Sequence, residues 1–587
     1  MAEQNETKTT RTWGGSRTVQ WTTFWADREE QVFLVLTLLI GALVGLTVVA
    51  FILVSERIGA RLYPMGSEPW RRLLVPCVGS LLVGYVLYRF FPDARGSGVP
   101  QTKAALYVRE GHITLWTVIG KFVCTSATLA CGIPLGREGP AVQVGGGIAS
   151  VLGRRLGMRP ERVKALIPVG AAAAIAAAFN TPLAAVLFTL EEVVGDLHAP
   201  VLGSVVLASA TSWGVLRLML GNEPLFQVPQ YSLVSSWELV VYAVLGVAGG
   251  ILSVAFTQLL LRTRAWFAKL PKKTVWFQPL AGGLLIGVMG WFVPQAMGVG
   301  YKYVGSALNG TMGPKLMVAL LLMKLVATAI SYSSGNAGGI FGPSLFMGAM
   351  LGGAVGGTAQ HFFPAFMAQP GAYALVGMGT AFAGVIRAPM TSVVMIFEIT
   401  RNYAVIVPLM ISNLVSYFVA SRLQKKPVYE ALADQDGIHL PQSENLQRRS
   451  EKQVGRLMRP MGKVLSTDDT LEDAVLRMKE SDRRTWLVKD GELLSGLVNR
   501  EDLEKAMGMS AVERRVRDLV PTTGFPHLHS DHTFDTALDR MGRAGLDVIP
   551  VVSRANVREV LGVVLLRDVL DGYGLVNESS VRDGEGI

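Results

Sequence analysis

The chain has 587 residues, half of them apolar and only 17% charged, with a mean hydropathy of +0.37. That balance excludes an ordinary soluble enzyme and reads as an integral membrane protein. The net charge of +10 is spread through loops such as Arg71-Arg72, Arg154-Arg155 and Lys425-Lys426. This suits loops at a negative membrane surface and builds no nucleic-acid patch.

In chain order, the first thirty residues are polar and lack the basic, apolar, small-residue sequence of a cleavable signal, so the first span is expected to carry the targeting information. Apolar runs approaching or exceeding the roughly 17–25 residues of a spanning helix occur at about 31–54, 73–90, 115–135, 165–190, 200–220, 238–261, 276–294, 315–332, 372–398 and 404–420. Several are interrupted by Gly or Pro, and many of the 64 glycines lie in this region. Broken helices are tolerated at bilayer depth where they line a protein-buried cavity. Cys77, Cys124 and Cys131 sit in apolar stretches with neither CxxC spacing nor neighbouring histidines. They read as small core residues, and no metal or other cofactor is expected.

The apolar region repeats itself. Gly170 to Glu192 (GAAAAIAAAFNTPLAAVLFTLEE) aligns without gaps on Gly377 to Ile399 (GMGTAFAGVIRAPMTSVVMIFEI), matching Pro182 with Pro389 and Glu191 with Glu398. Upstream, GREGPAVQVGGGIASVLG from Gly136 aligns on GIFGPSLFMGAMLGGAVG from Gly339, matching Pro140 with Pro343 and Gly145 with Gly348. Two homologous halves follow, with a site expected between them. The alignment leaves parallel and inverted arrangements open; the short, interrupted spans favour inversion.

Three motifs combine glycine with a proline at an expected helix start: Gly96 to Pro100 (GSGVP), Gly136 to Pro140 (GREGP) and Gly339 to Pro343 (GIFGP). Proline suits the first turn of a helix, and glycine permits close backbone approach. The first N–H groups of such helices lack internal partners and carry the positive end of the macrodipole. Three of them aimed at one place would make an anion site without a buried Lys or Arg. Within GREGP, Glu138 puts a carboxylate in an apolar stretch, at a cost of roughly 2.5–3.5 kcal/mol even on gentle insertion scales, which marks it as a functional candidate. Gly298-Val299-Gly300 lacks a following GKS/T and reads as a turn rather than part of a phosphate loop. No protease dyad, HExxH site or Walker loop is present in the sequence, so no enzyme is expected.

These motifs, in this order and followed by KKPVYEAL at Lys425 to Leu432, resemble the CLC family of chloride channels and chloride/proton antiporters over about residues 30 to 433. The resemblance implies a polytopic α-helical membrane protein with two inverted repeats and many broken or tilted helices. It implies an anion site formed by the Ser97 hydroxyl, the Tyr429 phenol and the backbone of Gly98, Gly139, Ile340 and Phe341. Glu138 takes the role of a gating glutamate, whose carboxylate occupies an anion position when ionised and swings away when protonated. Glu192 breaks the internal symmetry, because Ile399 stands at its counterpart, and resembles the family's internal proton glutamate; the plain alternative is a solvated helix-end charge. Glu191 and Glu398, which match each other, read as structural groups at helix ends. Lys121 and Arg137 either attract anions to the pathway or satisfy nearby carbonyls. In the family, nitrate-selective plant members carry proline at the Ser97 position and the fluoride exporters depart from the motif, so GSGVP points to chloride.

Near residue 425 the composition turns polar and charged, and two stretches that follow share one order: a Thr or Asp near a helix start, an amphipathic helix, a β-rich run, and Gly-apolar-apolar-x-x-x-Asp. They resemble a soluble α/β tandem of CBS domains. The family's closing Ser or Thr is replaced by Asn499 and Leu565, whereas Asp502 and Asp568 are retained. Both an adenine nucleotide site and a purely structural or dimerising role therefore remain open. The expected organisation is a cytoplasmic N-terminal segment 1–29, a transmembrane domain 30–433 in repeats of about 30–220 and 235–425, a linker 434–453, CBS domains 454–573 (about 454–507 and 516–573) and a tail 574–587. The resemblance implies a homodimer in the lipid bilayer of the cell membrane, multi-pass, with both termini and the CBS domains cytoplasmic. Chloride/proton exchange is the first expectation, and a CBS-regulated channel without proton coupling the alternative.

Overall fold

The computed structural model describes residues 29–63, 68–197, 200–221, 224–226, 228–438, 440, 453–479, 483–508, 514–521 and 524–573. Residues 1–28 of the expected N-terminal segment, 441–452 of the expected linker and the tail 574–587 lie outside them. The chain divides into two compact units, Met1–Pro441 and Gln442–Ile587.

The first unit is helical. Its described helices are α1 (Glu29–Leu62), α2 (Pro69–Arg89), α3 (Val99–Tyr107), α4 (Leu115–Ala130), α5 (Glu138–Arg155), α6 (Pro160–Phe179), α7 (Pro182–Phe188), α8 (Leu202–Leu220), α9 (Glu238–Ala268), α10 (Pro279–Phe292), α11 (Tyr301–Leu308), α12 (Pro314–Ser333), α13 (Phe341–Phe362), α14 (Pro370–Ile386), α15 (Pro389–Thr400), α16 (Ile406–Leu423) and α17 (Val428–Gln435). Among the described residues, seven helices are long and apolar enough to cross a membrane, and four shorter apolar helices accompany them.

Two of the expected continuous runs are each split in two. The run 165–190 breaks at Asn180 (φ 59°) and the run 372–398 at Arg387 (φ 67°), both left-handed ends of a helix two residues before the proline that starts the next one. A proline inside a helix removes a hydrogen bond and clashes with the preceding turn, so each helix stops and another begins. The new helix α7 runs into a single π-type turn, Thr189–Val194, which carries Glu191 and Glu192.

The halves are inverted. Gly136 and Gly339 form an antiparallel bridge, each N–H donating to the other's carbonyl at 2.7 Å, and each chain then enters a helix, α5 or α13. The two helices therefore leave the bridge in opposite directions. Each packs closely on its successor through matched glycines. A Cβ on Gly145 would stand 2.2 Å from the Gly170 carbonyl, and one on Gly348 2.2 Å from that of Gly377. Glu191 caps the start of α15, accepting from the Thr391 N–H at 2.9 Å and its hydroxyl at 2.7 Å. Reciprocally, Glu398 caps α7 through the N–H groups of Leu183 (3.0 Å) and Ala184 (2.7 Å). Of the cysteines, Cys124 and Cys131 are buried and Cys77 is half-buried on α2; all three are free.

The second unit holds two small α/β halves. In the first, β1 (Leu465–Ser466) runs parallel to β2 (Thr485–Asp490), which pairs antiparallel with β3 (Leu493–Asn499), flanked by α18 (Leu471–Lys479) and α19 (Arg500–Gly508). In the second, β4 (Val548–Val552) and β5 (Val560–Leu565) pair antiparallel beside α20 (Phe534–Ala544) and α21 (Leu566–Gly572). Thr470 and Thr533 cap α18 and α20, accepting from Asp473 and Thr536. The Asp547 carboxylate joins the halves by accepting from the Arg484 and Thr485 N–H groups, each at 3.0 Å.

Candidate functional site

The three glycine–proline motifs meet at one place. Gly98, at φ 106°, precedes α3, and a Cβ there would lie 2.2 Å from the Gly139 carbonyl in the first turn of α5. Only a residue without a side chain permits both that backbone angle and that approach. In return, a Cβ on Gly139 would stand 2.9 Å from Ser97 Oγ, so the Ser97 hydroxyl borders the start of α5. The start of α13 closes the group: Gly339 approaches the Gly139 N–H, and Gly136 the Gly342 N–H. Ile340 and Phe341 are fully buried here, with Phe341 packed on Phe179, Phe188 and Phe382 at ring separations of 4.7, 5.5 and 4.5 Å. The N–H groups of a first helical turn have no intrahelical partner, so these starts present donors to the space they share.

Tyr429, one residue into α17, is fully buried beside Ser97. The Ser97 and Tyr429 hydroxyls and Glu138 Oε2 are buried without hydrogen-bond partners in the protein. Two orphaned hydroxyl donors beside helix N-termini suit an anion, because each can donate to it and neither has a protein acceptor. The other carboxylate oxygen of Glu138, Oε1, accepts from the Tyr301 hydroxyl.

Glu192 is also buried. It sits on the π-type turn and pairs with Lys103 on α3 at 3.0 Å, the two side chains 7% and 6% exposed. Thus α3 presents the Ser97 loop at its start and the partner of Glu192 along its length. A cavity of about 460 Å³ adjoins the loop, with Arg95, Gly96, Arg264, Lys272, Tyr332 and Asp436 among its lining residues.

The basic residues resolve individually. Lys121 is fully buried and donates to the carbonyls of Ala94 (2.9 Å), Arg95 (3.3 Å) and Gly96 (2.7 Å). It holds the loop before Ser97, which favours the carbonyl alternative. Arg137 pairs with Glu56 at 3.0 Å and lies over the Tyr301 ring at 5.7 Å.

Sequence reasoning passed over Lys103, Tyr301 and Lys324. A signal existed for the last two, because the repeat extends further upstream than the aligned blocks. Gly298-Val299-Gly300 forms a bend before a helix, and it is the counterpart of Gly96-Ser97-Gly98. Both follow a short helical turn, Pro92–Ala94 or Pro294–Ala296, and both contain two glycines at positive φ. Each is held by a buried lysine, Lys324 donating to Gly298 as Lys121 does to Gly96. Lys103 had no comparable marker, since nothing local distinguishes it from a solvated helical lysine.

In the tandem unit the two retained aspartates differ. Asp502 is exposed in the first turn of α19. Asp568 is buried and gripped by Arg459 through two bonds of 2.7 Å.

Comparison with known proteins agrees with this architecture. The family described as voltage gated chloride channel matches residues 79–421, and the CBS domain matches 454–508 and 516–574. The chain is 33% identical over 441 residues to the H(+)/Cl(-) exchange transporter ClcA of Salmonella gallinarum, covering 71% of this chain and 93% of that protein. Among solved structures, a slow cyanobacterial Cl-/H+ antiporter matches with a TM-score of 0.64 and 27% identity, over 69% of this chain and 97% of that one. A eukaryotic CLC transporter shares the fold over 91% of this chain and 97% of its own, with a TM-score of 0.59 and 21% identity. With its glycine-bridged inverted repeats and a tandem CBS module after them, the chain belongs to the CLC family of voltage gated chloride channels and transporters.

Proposed function

We propose that this protein exchanges chloride for protons across a membrane, with Glu138 as the gate and Glu192 as the proton acceptor on the other side of Tyr429. The observation that carries the reading is the pair of buried carboxylates, one at a helix start and one paired with Lys103. The names of the relatives support exchange over a channel. Chloride accepts from the Ser97 and Tyr429 hydroxyls and from the N–H groups at Ile340 and Phe341, with Gly98 and Gly139 providing the close backbone packing. Ionised Glu138 competes for the same donors, because a carboxylate and a chloride ion satisfy a helix N-terminus alike. Protonation removes that attraction and frees the position, so the two ions alternate.

The same resemblance supports a homodimer with each subunit carrying its own path, and both termini and the CBS domains on the cytoplasmic side of the cell membrane. For the tandem module we favour a structural role over adenine nucleotide binding, because Asp568 is already held by Arg459. In reconstituted vesicles Glu138→Gln is expected to carry chloride with no coupled protons, and Glu192→Gln to stop protons while chloride flux continues. Normal coupling in both variants would reject these assignments.

A further inference from the structure

The inverted repeat makes the asymmetries of this molecule visible. At the position matching Ser97 the second half has Val299, and at the position matching Glu138 it has Phe341. The exchange runs the other way one residue after the second glycine of each loop, where Val99 in the first half is matched by Tyr301 in the second. The one hydroxyl that the second half adds here bonds to the one carboxylate that the first half adds.

The surroundings of that bond fit a positioning role. Tyr301 begins α11 directly after Gly300 (φ 87°), and its ring is fixed edge-on by Phe226 at 5.7 Å and covered by the Arg137 guanidinium. The ring is thus clamped independently of its hydroxyl. The free carboxylate oxygen of Glu138 lies over the first turn of α13, since a Cβ on Gly342 would come within 3.3 Å of it. Among the described residues, the groups beside Glu138 are Tyr301 on α11, the Gly342 end of α13, and Arg137 with its Glu56 partner on α1.

We infer that Tyr301 is a latch for the gate. Its hydroxyl donates to ionised Glu138 and holds the carboxylate against the start of α11, so this bond must break before Glu138 can move. The inference rests on Glu138 being the gate, and deepens that reading by naming the group that opposes its movement. Hydrogen bonds to charged groups are strong enough that losing one shifts the equilibrium between held and released gate about tenfold or slightly more.

The test is Tyr301→Phe, which keeps the clamped ring and deletes only the hydroxyl, measured as chloride flux from vesicles across a pH series. The latch predicts a half-activation point displaced to higher pH by about one unit, and no effect of the same substitution in a Glu138→Ala background, where the hydroxyl has no carboxylate to hold. An unchanged pH profile in folded Tyr301→Phe protein overturns the latch. So does an equal change in the Glu138→Ala background, which would assign the effect to packing. Failure of the exchange reading is separable: wild-type protein that moved chloride without protons would reject exchange, while the pH profile of its chloride flux would still decide the latch.

Discussion

Lys103 and Glu192 bring opposite charges together in a place almost closed to solvent. Removing one member of such a pair leaves a buried charge uncompensated, at a cost on the order of 3–5 kcal/mol, whereas removing both is far milder. Lys103→Met is therefore expected to lower the thermal stability of the purified protein sharply, and Lys103→Met with Glu192→Gln to recover most of the loss. Equal stability of the two variants would show that the pair is not coupled. Lys121 poses the converse case. Its ammonium satisfies three carbonyls ahead of Ser97, and Lys121→Met orphans them at about 1–3 kcal/mol each. Loss of folded protein, or weaker apparent chloride affinity in what survives, is the expected outcome; unaltered stability and affinity would contradict the loop-holding role.

At the level of helices, the close crossings of α5 with α6 and of α13 with α14 depend on matched glycines. Adding one methyl group at Gly145 or Gly348 drives it into a backbone carbonyl, which is not a flexible neighbour, and overpacking of this kind costs about 1–3 kcal/mol or more. Gly145→Ala and Gly348→Ala are each expected to lower the melting temperature, and the double variant to do so additively because the pairs belong to different halves. A neutral result at either position, by thermal melts in detergent, would mean that the crossing relaxes. The helix starts, the repeat and the membrane class were legible in the sequence because proline, glycine and hydropathy act locally. The splits at Asn180 and Arg387 were less so: each lies inside a run apolar enough to read as one span, and only the following proline marks it. Ser97, Glu138 and Tyr429 could be located through motifs. Tyr301 was marked only by its place after the loop that repeats Gly96-Ser97-Gly98, and Lys103 was not marked at all, since its importance comes from a partner 89 residues away.

Over the whole molecule, the two-fold relation builds the scaffold and departures from it build the site. Matched features such as Lys121 with Lys324, or Glu191 with Glu398, hold loops and cap helices. Unmatched ones, Ser97, Glu138, Glu192 and Tyr301, surround the proposed ion path. The tandem module carries its own repeat, in which Arg459 holds both oxygens of Asp568. Titration of the full-length protein in detergent with ATP, ADP and AMP is accordingly expected to give no saturable heat, and micromolar binding would reverse the structural assignment. Exchange is proposed to rest on Glu138 and Glu192 together. Its most direct test is proton movement in vesicles reconstituted with the wild-type protein and given a chloride gradient but no proton gradient. Protons are expected to be driven uphill as chloride runs down its gradient; chloride flux that dissipates the gradient with no proton movement, once the membrane potential is clamped, would rule out exchange.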